Sequence, residues 1–343
     1  MSRRVLVTGG SGYFGEVLVG RLLARGDDVR ILDLNRPASP DARVDVVIGD
    51  IRDRDAVRRA CTDVDVVLHN VAQVPLAKDR ALFWDVNVTG TAHVLLAARD
   101  AQVTKVVHTS SSAIFGIPRS NPVTEESPGR PVEAYGRAKL EAEILCRDAA
   151  RAGLDVSIIR PRTILGHGRL GIMAVLFDLV SAGAPVFVLD GGHNRYQLVH
   201  ADDLAEACLR AADRPEPRTY NIGATEFGTM RETLTALVEH AQTGARVRSL
   251  PGAPARMAMR AATGLGLAPF APYHWLLYGE SLWFDTTRAE QELGWSAQHS
   301  NASMVIESYD WFCAHRDDLV GDERSHHQSP VRLGALRLLR HLP

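Results

Sequence analysis

The chain has 343 residues, 45% of them hydrophobic, and its 39 basic and 41 acidic residues give a formal net charge of −2. This length is enough for one large or two modest domains with full cores, so stability requires neither disulfides nor a structural metal. The near-neutral balance argues against a nucleic-acid-binding protein. No apolar run reaches membrane-spanning length, and a strand pattern that begins at once argues against a signal peptide.

The cysteines are far apart in the chain and form no Cys-x-x-Cys pair. They are Cys61, Cys146, Cys208 and Cys313. We therefore expect a reducing, cytoplasmic setting in which all four are small core residues.

The first half of the chain alternates short β-branched runs with helical patterns. Strands are predicted at residues 4–8, 29–33, 45–48, 64–69, 105–110 and 155–160, and helices at 12–25, 53–61, 82–100 and 134–152. Continuous apolar strands between helices predict a doubly wound α/β fold, with a parallel sheet covered on both faces.

The second half is more irregular, with strands predicted at 186–189, 196–200, 219–222 and 246–250 and helices at 201–212 and 229–240. Residues 251–283 are rich in Pro, Gly and aromatics and indicate substrate-pocket or lid material. We expect a dinucleotide-binding domain over 1–165, to which segments around 195–224 return. A smaller mixed α/β substrate domain is expected over 166–194 and 225–320, followed by a basic tail over 321–343.

A glycine-rich segment joins the first strand to the first helix. Gly9, Gly12 and Gly15 permit a tight turn, close approach of the backbone to a pyrophosphate, and close helix–strand packing. The helix N-terminus then favours an anion. Together with Tyr13 and Phe14, these glycines predict a dinucleotide-binding loop.

Carboxylates follow the next two strands. Asp33 ends the second strand, where it can accept hydrogen bonds from the adenosine ribose and would repel a 2′-phosphate, which favours NAD over NADP. Arg36 lies close enough to keep NADP open. Asp50 and Ile51 follow the third strand and are placed to frame the adenine, although an ordinary turn explains their spacing as well.

Two further patterns predict acid–base chemistry. Tyr135 and Lys139 lie four residues apart on one helix face, where the ammonium, together with a cationic nicotinamide, would lower the pKa of the phenol. Ser110, Ser111 and Ser112 follow a strand, at the sheet edge where ligands bind. Each pattern alone is common, but in this order after the glycine loop they are specific.

With these motifs the chain resembles the extended short-chain dehydrogenase/reductase superfamily, in its NAD-dependent epimerase/dehydratase branch. The resemblance runs from residue 8 to about 311 and includes Asn-Val-Thr-Gly-Thr at 87–91, Arg-Pro at 160–161, Val-His-Ala-Asp-Asp at 199–203 and Tyr-Asn-Ile-Gly at 220–223. It implies a Rossmann-type fold and a bound NAD.

The resemblance also implies roles for single residues. Tyr135 would be the general acid/base, and Lys139 would hold the nicotinamide ribose and tune Tyr135. Ser111 would bind the reacting oxygen, with Ser110 and Ser112 as alternatives and Ser112 as a further substrate contact.

Asn87 would shape the active-site helix and support a proton relay, or would only interrupt the helix. The Arg-Pro pair at 160–161 would mainly shape the backbone.

The substrate residues are less constrained. Arg195 is placed like the arginines that bind the diphosphate in nucleotide-sugar relatives, although a solvated loop residue explains it equally. The Arg-x-x-Asp of those relatives is missing, since residues 280–285 read Glu-Ser-Leu-Trp-Phe-Asp. The aromatic run around Trp275 resembles the lid of 3β-hydroxysteroid-dehydrogenase-like ketoreductases, and packing of the small domain explains it as well. Ser111-Ser112-Ala113 in place of Thr-Asp-Glu argues against dehydration.

We therefore expect an NAD-dependent epimerase of a sugar or sugar-like carbinol (an amino sugar, aminocyclitol or nucleotide sugar) that works by transient hydride transfer. The alternative is an NAD(P)-dependent dehydrogenase or ketoreductase of a hydrophobic or secondary-metabolite alcohol. A non-catalytic dinucleotide sensor is the remote alternative. The partner would be a small molecule, and the protein would be a homodimer.

The 13 histidines show no metal-ligand spacing, so no metal is expected. His69, His108 and His200 lie at strand ends, where satisfied structural histidines are the default expectation.

Overall fold

Seven parallel strands form the central sheet of the computed structural model, which describes residues 2–38, 41–73, 81–169, 173–264 and 278–316. Numbered in chain order, they are β1 (Arg4–Thr8), β2 (Asp28–Asp33), β3 (Val44–Ile48), β4 (Val66–His69), β5 (Lys105–Thr109), β6 (Val156–Pro161) and β10 (Thr219–Ile222). Their spatial order is β3-β2-β1-β4-β5-β6-β10, so the direction of winding reverses between β1 and β4. In such sheets, ligands bind beyond the carboxyl ends of the strands at this switch point.

Two pairs of short parallel strands lie outside the central sheet. β7 (Thr163–Leu165) pairs with β9 (Leu198–His200), and β8 (Val186–Leu189) pairs with β11 (Val247–Leu250). The sequence did not predict β7, because three residues are too short to show a strand period.

Helices cover both faces of the central sheet. They are α1 (Tyr13–Arg25), α2 (Arg54–Cys61), α3 (Ala81–Trp84), α4 (Gly90–Asp100), α5 (Ala134–Arg151), α6 (Met173–Ser181), α7 (Ala201–Asp213), α8 (Met230–Ala241), α9 (Gly252–Gly264), α10 (Thr287–Leu293) and α11 (Asn301–His315). Val5 and Val7 of β1 pack in the core cluster that contains α1 and α7, whereas Leu6 packs on the opposite face with α2, α4 and α5. The predicted doubly wound Rossmann-type fold is therefore confirmed.

A separate apolar cluster joins α6, α8 and α11 in the second half of the chain. It packs around Phe177 and Met304, which are fully buried. This cluster is the core of the smaller C-terminal part.

The helix predicted over 82–100 is interrupted. Residues Asp85–Thr89 form a π-helical turn between α3 and α4. Asn87 lies in this turn, and its side chain accepts a hydrogen bond from Gln73 N at 2.9 Å and donates one to Gln73 O at 3.0 Å. Both polar groups of the Asn87 side chain therefore form hydrogen bonds with the segment that follows β4. The structure agrees with the expectation that Asn87 interrupts the helix.

Three further expectations concern the second half. Residues 251–283, for which substrate-pocket or lid material is expected, begin with helix α9, and that role stays a prediction. Trp275 and the tail at 321–343 lie outside the described residues. Cys313 is exposed, unlike the other three cysteines, because it lies on the outer face of α11 next to the buried Phe312. In the described part of the chain, no helix has both the length and the apolar character needed to cross a membrane.

Candidate cofactor and active site

The glycine loop after β1 is packed so tightly that the protein itself requires most of its glycines. Gly9 has a φ of +74° and its N–H donates to Leu32 O at 2.8 Å. A Cβ on Gly15 would lie 1.9 Å from Gly9 O. A Cβ on Gly10, a position that the sequence analysis did not single out, would lie 1.6 Å from Ile31 Cγ2. These contacts hold α1 against the sheet.

Gly12 is different, since neither its backbone conformation nor a close contact within the described residues requires glycine at this position. Its φ is −88°, and a Cβ there would meet only Gly9 O, at 3.4 Å. Gly12 is also the N-cap of α1 and supplies no side-chain cap, so the first N–H groups of the helix, at Tyr13 and Phe14, receive no side-chain acceptor from it. An uncapped helix N-terminus beside an open glycine fits the pyrophosphate of a dinucleotide.

Asp33 is held at the carboxyl end of β2, beside this loop. Its carboxylate accepts hydrogen bonds from Ser11 N at 3.1 Å and from Asn35 N at 3.0 Å. The carboxylate is half-buried and carries no arginine partner among the residues described. Its position near the loop fits an acceptor for the adenosine ribose.

The two adenine candidates have other contacts. Asp50 forms an ion pair with Arg52 at 2.6 Å, which lowers the pKa of Asp50. Ile51 is 4% exposed, and a Cβ on Gly90 would lie 2.8 Å from Ile51 Cγ2. Ile51 is thus part of the packing between α4 and the sheet, and the adenine role of both residues stays a prediction.

Tyr135 is placed by the start of α5. The carboxylate of the N-cap residue Glu133 accepts from Tyr135 N at 2.7 Å and from Gly136 N at 2.6 Å. A Cβ on Gly136 would lie 2.5 Å from Ala113 O, so only glycine lets this turn approach the short 3₁₀ turn that follows Ser111. As a result, the Ser111 hydroxyl lies near the Tyr135 phenol and opposes the rise in the pKa of Tyr135 that burial causes.

Lys139 lies one turn further along α5 and is 1% exposed. Its Nζ donates to Thr109 O at 2.6 Å, and burial lowers the pKa of Lys139 to about 8. Burial raises the pKa of Tyr135 to about 12, while the Ser111 hydroxyl and the charge of Arg169 act in the opposite direction. Lys139 by itself therefore does not lower the pKa of Tyr135 as expected, because desolvation dominates.

The three serines after β5 have three different partners. Ser110 Oγ donates to Glu143 Oε1 at 2.6 Å. Ser112 Oγ accepts from Arg162 Nη1 at 2.8 Å. Of the three, Ser111 is the one whose contacts place it at the tyrosine, which supports the alignment that made it the first choice.

A buried ion-pair network lies behind the serines, and the sequence analysis missed it. Glu143 has no exposed surface and accepts hydrogen bonds from Arg160 at 2.9 and 2.7 Å and from Arg147 at 2.5 Å. Arg160 also donates to Glu125 O at 3.0 Å. Arg160 therefore ties α5 to β6. Glu143 lies one turn after Lys139 on the same helix face, and this spacing is a signal that could have found it.

Two buried histidines, His69 and His108, lie near Lys139. The ring of His69 is held by Thr8 Oγ1 at 2.8 Å and by Thr91 Oγ1 at 2.9 Å, and burial lowers its pKa to about 3. The ring of His108 is 5.2 Å away, and its pKa is well below the ordinary value because of burial and the charge of Lys139. Neither nitrogen of His108 has a hydrogen-bond partner in the part of the chain that the structure describes, where the expectation of a satisfied structural histidine is wrong for His108.

Arg195 lies between two aromatic rings. Its Cζ is 4.8 Å from the ring centroid of Phe227 and 4.6 Å from that of Trp283. Both rings line a cavity of about 320 Å³ whose other lining residues are Pro122, Gln197, Ala224, Thr225, Phe284, Asp285 and Thr286. Arg195 thus lies against two rings of an aromatic cavity. One of these rings, Trp283, belongs to the segment in which the Arg-x-x-Asp motif is missing.

Arg162 separates this cavity from the serines. It is 1% exposed, its Cζ lies 5.0 Å from the Tyr196 ring and 5.7 Å from the Phe284 ring, and it donates to Ser112. Arg162 therefore links Ser112 of the serine cluster to Phe284, one of the residues that line the cavity.

Three side chains of types that can ligate a metal lie close together near α1. His167 Nδ1 is 3.0 Å from Glu307 Oε1, and His200 Nε2 is 3.3 Å from Glu307 Oε2. However, His200 Nδ1 accepts a hydrogen bond from Asp202 N at 3.2 Å, so the proton of the neutral ring lies on Nε2. His200 then faces Glu307 with an N–H group at 3.3 Å that completes no hydrogen bond among the described residues, and a protonated Nε2 is not a metal ligand.

The parallel sheet, the glycine loop with its uncapped helix, and the Tyr135–Ser111 pair beside a buried lysine define a dinucleotide-dependent enzyme of the short-chain dehydrogenase/reductase class. Residues 5–223 match the model of the NAD dependent epimerase/dehydratase family, and the chain belongs to this family. The expectation of NAD as cofactor is thereby confirmed at the level of the family.

Individual relatives cover nearly the whole chain. A Sinorhizobium fredii protein named "Uncharacterized protein y4nG" is 50% identical over 98% of this chain and 85% of its own length. The 4-hydroxy-2-methyl-3-oxo-4-farnesyl-3,4-dihydroquinoline-1-oxide ketoreductase of Stigmatella aurantiaca is 30% identical, over 86% of this chain and 92% of its own. The solved UDP-glucose 4-epimerase of Thermus thermophilus, in complex with NAD, is 26% identical with a TM-score of 0.73, over 90% of this chain and 99% of that one.

Proposed function

We propose that the protein is an NAD-dependent epimerase that inverts one carbinol centre of a sugar or sugar-like substrate. The observation that carries the proposal is that α5 approaches the turn after β5 so closely at Gly136 that Tyr135 and Ser111 lie near each other, with the buried Lys139 bonded to the end of β5. This arrangement supplies a proton acceptor and a hydrogen-bond donor for a single substrate oxygen. The likeness to the Thermus thermophilus UDP-glucose 4-epimerase supports the same reaction.

NAD, when bound, supplies a hydride acceptor that can return the hydride to the opposite face of the oxidised carbon. Tyr135 Oη accepts the hydroxyl proton and gives it back after inversion. Ser111 Oγ donates a hydrogen bond to the reacting oxygen while negative charge develops there. Lys139, fixed through Thr109 O, is the buried cation next to these groups and would hold the cofactor ribose.

In this proposal Asn87 is a positioning residue. Its side-chain amide is bonded to Gln73 at both ends, and its backbone carbonyl accepts from Thr91 Oγ1 at 2.7 Å. The amide therefore shapes the active-site helix and the loop after β4, and we assign no proton transfer to it.

Arg195 supports a substrate with a phosphate or other anionic group, because its guanidinium stacks on Phe227 and Trp283, two of the residues that line the cavity. The aromatic surfaces of Phe227 and Trp283 favour a second candidate, a ketoreductase of a less polar alcohol. The Stigmatella aurantiaca relative, a ketoreductase, supports that candidate. The two differ in whether the cofactor is regenerated within one turnover.

One experiment separates them. The purified protein is denatured and the released nucleotide identified by mass spectrometry, and the native protein is assayed with UDP-glucose and UDP-galactose for interconversion without net NADH formation. Retained NAD and interconversion of either substrate are expected. An empty protein that oxidises NADH only in the presence of a ketone would replace the epimerase proposal with the ketoreductase.

The role of the tyrosine is tested by Tyr135→Phe. This change should lower turnover about 10²- to 10⁴-fold, the usual contribution of a general acid/base, and leave the Kd for NAD unchanged. Full activity in the variant would remove Tyr135 from the mechanism. Three expectations stay predictions: the homodimer, the cytoplasmic location and the division into two domains. Light scattering would test the homodimer.

A further inference from the structure

Arg169 has no role in the proposed reaction, yet its position is well determined by its neighbours. It ends a turn that follows β7, in which Gly166 and Gly168 have φ values of +140° and +77°. Arg169 N donates to Gly166 O at 3.1 Å, which closes the turn. The guanidinium lies over the ring of Tyr13, with Cζ 5.2 Å from the centroid.

This turn is packed against the start of α1. A Cβ on Gly166 would lie 2.9 Å from Tyr13 Oη and 3.0 Å from His200 Nε2, so the absence of a side chain at Gly166 allows the approach. Tyr13 is the first residue of α1, directly after Gly12. Arg169 is therefore placed beside the uncapped helix N-terminus of the glycine loop.

The guanidinium also lacks an anionic partner. Within residues 2–38, 41–73, 81–169, 173–264 and 278–316, no ion pair joins Arg169 to a carboxylate, and its close contact is the cation–π contact with the Tyr13 ring. Burial lowers the pKa of Arg169 to about 10 and leaves the group charged at neutral pH. A largely desolvated cation with five N–H donors is costly unless an anion pairs with it.

Burial raises the pKa of both Tyr13 and Tyr135, and the charge of Arg169 opposes the rise for both phenols. The guanidinium is thus stacked on the first residue after the glycine loop, and its charge also acts on the catalytic tyrosine. The part of a dinucleotide between the adenosine and the nicotinamide ribose is its pyrophosphate, which carries the negative charge.

We propose that Arg169 binds the pyrophosphate of NAD, in addition to the backbone amides at the start of α1. The inference rests on NAD as the cofactor and is independent of the epimerase reaction. The diphosphate of a nucleotide-sugar substrate has the same chemistry. The contact with Tyr13 favours the cofactor, because Arg195 already supplies a cation at the neighbouring cavity.

The test compares Arg169→Met and Arg169→Lys with a matched control, Arg137→Met. Arg137 is exposed on α5, two residues from Tyr135, so its replacement removes one positive charge near the site without touching the glycine loop. Kd values for NAD, ADP-ribose, adenosine and UDP are measured by calorimetry on the full-length protein after exchange of bound nucleotide. Thermal unfolding checks that each variant is folded.

Arg169→Met should weaken NAD and ADP-ribose about 10- to 100-fold, the value of a charge-assisted hydrogen bond, and leave adenosine within about two-fold. Its NAD affinity should also fall less steeply with salt than that of the wild type. Arg169→Lys should recover part of the loss, and Arg137→Met should bind NAD like the wild type.

Three results would overturn the inference. One is an Arg169→Met protein that is folded and binds NAD with wild-type affinity. Another is an equal loss for adenosine and ADP-ribose, which would indicate a general distortion of the loop. The third is a loss confined to UDP, which would assign Arg169 to the substrate. Since each readout is cofactor or ligand affinity, a failure of the epimerase assay leaves the test valid.

Discussion

The hydroxyl of Ser110 donates a 2.6 Å hydrogen bond to Glu143, whose carboxylate is completely buried. Ser110 is thereby occupied by the ion-pair network of α5 and β6, while the Ser111 hydroxyl lies near the tyrosine. Two neighbouring hydroxyls that the sequence could not distinguish thus have separate tasks.

Replacement of each serine by alanine should separate these tasks. Ser111→Ala should lower kcat about 10²- to 10³-fold, as loss of one donor to a developing oxyanion does, with little change in stability. Ser110→Ala should lower the free energy of unfolding by about 1–3 kcal/mol, because the buried carboxylate loses a donor, and should keep most of the activity. Steady-state kinetics and urea unfolding measure both. A stable, inactive Ser110→Ala variant would reverse the assignment.

Gly136→Ala should weaken catalysis through geometry alone. The added Cβ would lie 2.5 Å from Ala113 O, a backbone atom, so the first turn of α5 must move away from Ser111. We expect a loss of about 1–3 kcal/mol in stability and a fall of more than about 10-fold in kcat, because small misplacements of catalytic groups are costly. Gly20→Ala is the control.

At Gly20, also in a helix, a Cβ would meet nothing within 4 Å. This change should stabilise the protein by about 0.5–1 kcal/mol and leave kcat unchanged. Equal kinetics for the two glycine variants would show that the approach of α5 to the serine turn does not position Tyr135.

Lys139→Met should stabilise the protein at pH 7 while it abolishes turnover. Burial lowers the pKa of Lys139 in the folded state from 10.5 to about 8, so the folded state carries an unfavourable buried charge at pH 7. We expect the variant to gain about 1–3 kcal/mol in free energy of unfolding. Urea unfolding between pH 7 and pH 10.5 measures it.

The sign of the pH dependence follows from the same pKa. Between about pH 8 and pH 10.5 the unfolded wild type binds more protons at this lysine than the folded one, so wild-type stability rises with pH and the advantage of the variant shrinks. Lys105→Met is the contrast: burial lowers the pKa of Lys105 too, but Lys105 is paired with Asp155 at 2.7 Å, so its replacement leaves that carboxylate unpaired and should destabilise. A pH-independent loss for both variants would contradict the lowered pKa.

Asp33→Asn should shift the cofactor preference. The wild type is expected to bind NAD more tightly than NADP, and removal of the carboxylate charge should lower the ratio of Kd(NADP) to Kd(NAD) about 10-fold. The amide oxygen can still accept from Ser11 N or Asn35 N, so the loop should keep its shape. Asp45→Asn, which removes an exposed charge on β3, is the control. An unchanged ratio in Asp33→Asn would exclude a role for Asp33 in cofactor choice.

The sequence predicted the first half well because its signals are local. Strands such as Arg4–Thr8 are short, apolar and bounded by glycine or by helical patterns, and their predicted ends lie within two residues of those in the structure. The glycine loop and the Tyr135/Lys139 pair depend on chain spacing alone. These features define the family, and the family match covers the same segment.

What the sequence missed depends on contacts between distant residues. The helix Met173–Ser181 is apolar on all sides, so it shows no amphipathic stripe. The π-turn at Asn87 depends on bonds to Gln73, and the partner of Ser110 comes from another helix. Gly136 and Gly10 also matter through neighbours, Ala113 and Ile31, that no local pattern reveals.

The two buried imidazoles under Lys139 have a consequence for kinetics. With a pKa of about 3 for His69 and one well below the ordinary value for His108, both rings stay uncharged from roughly pH 7 to pH 9. A rate change in this interval therefore cannot come from these histidines, although histidine is the usual first assignment for it. An ionisation near pH 8 in the activity profile would report the ammonium of Lys139 directly.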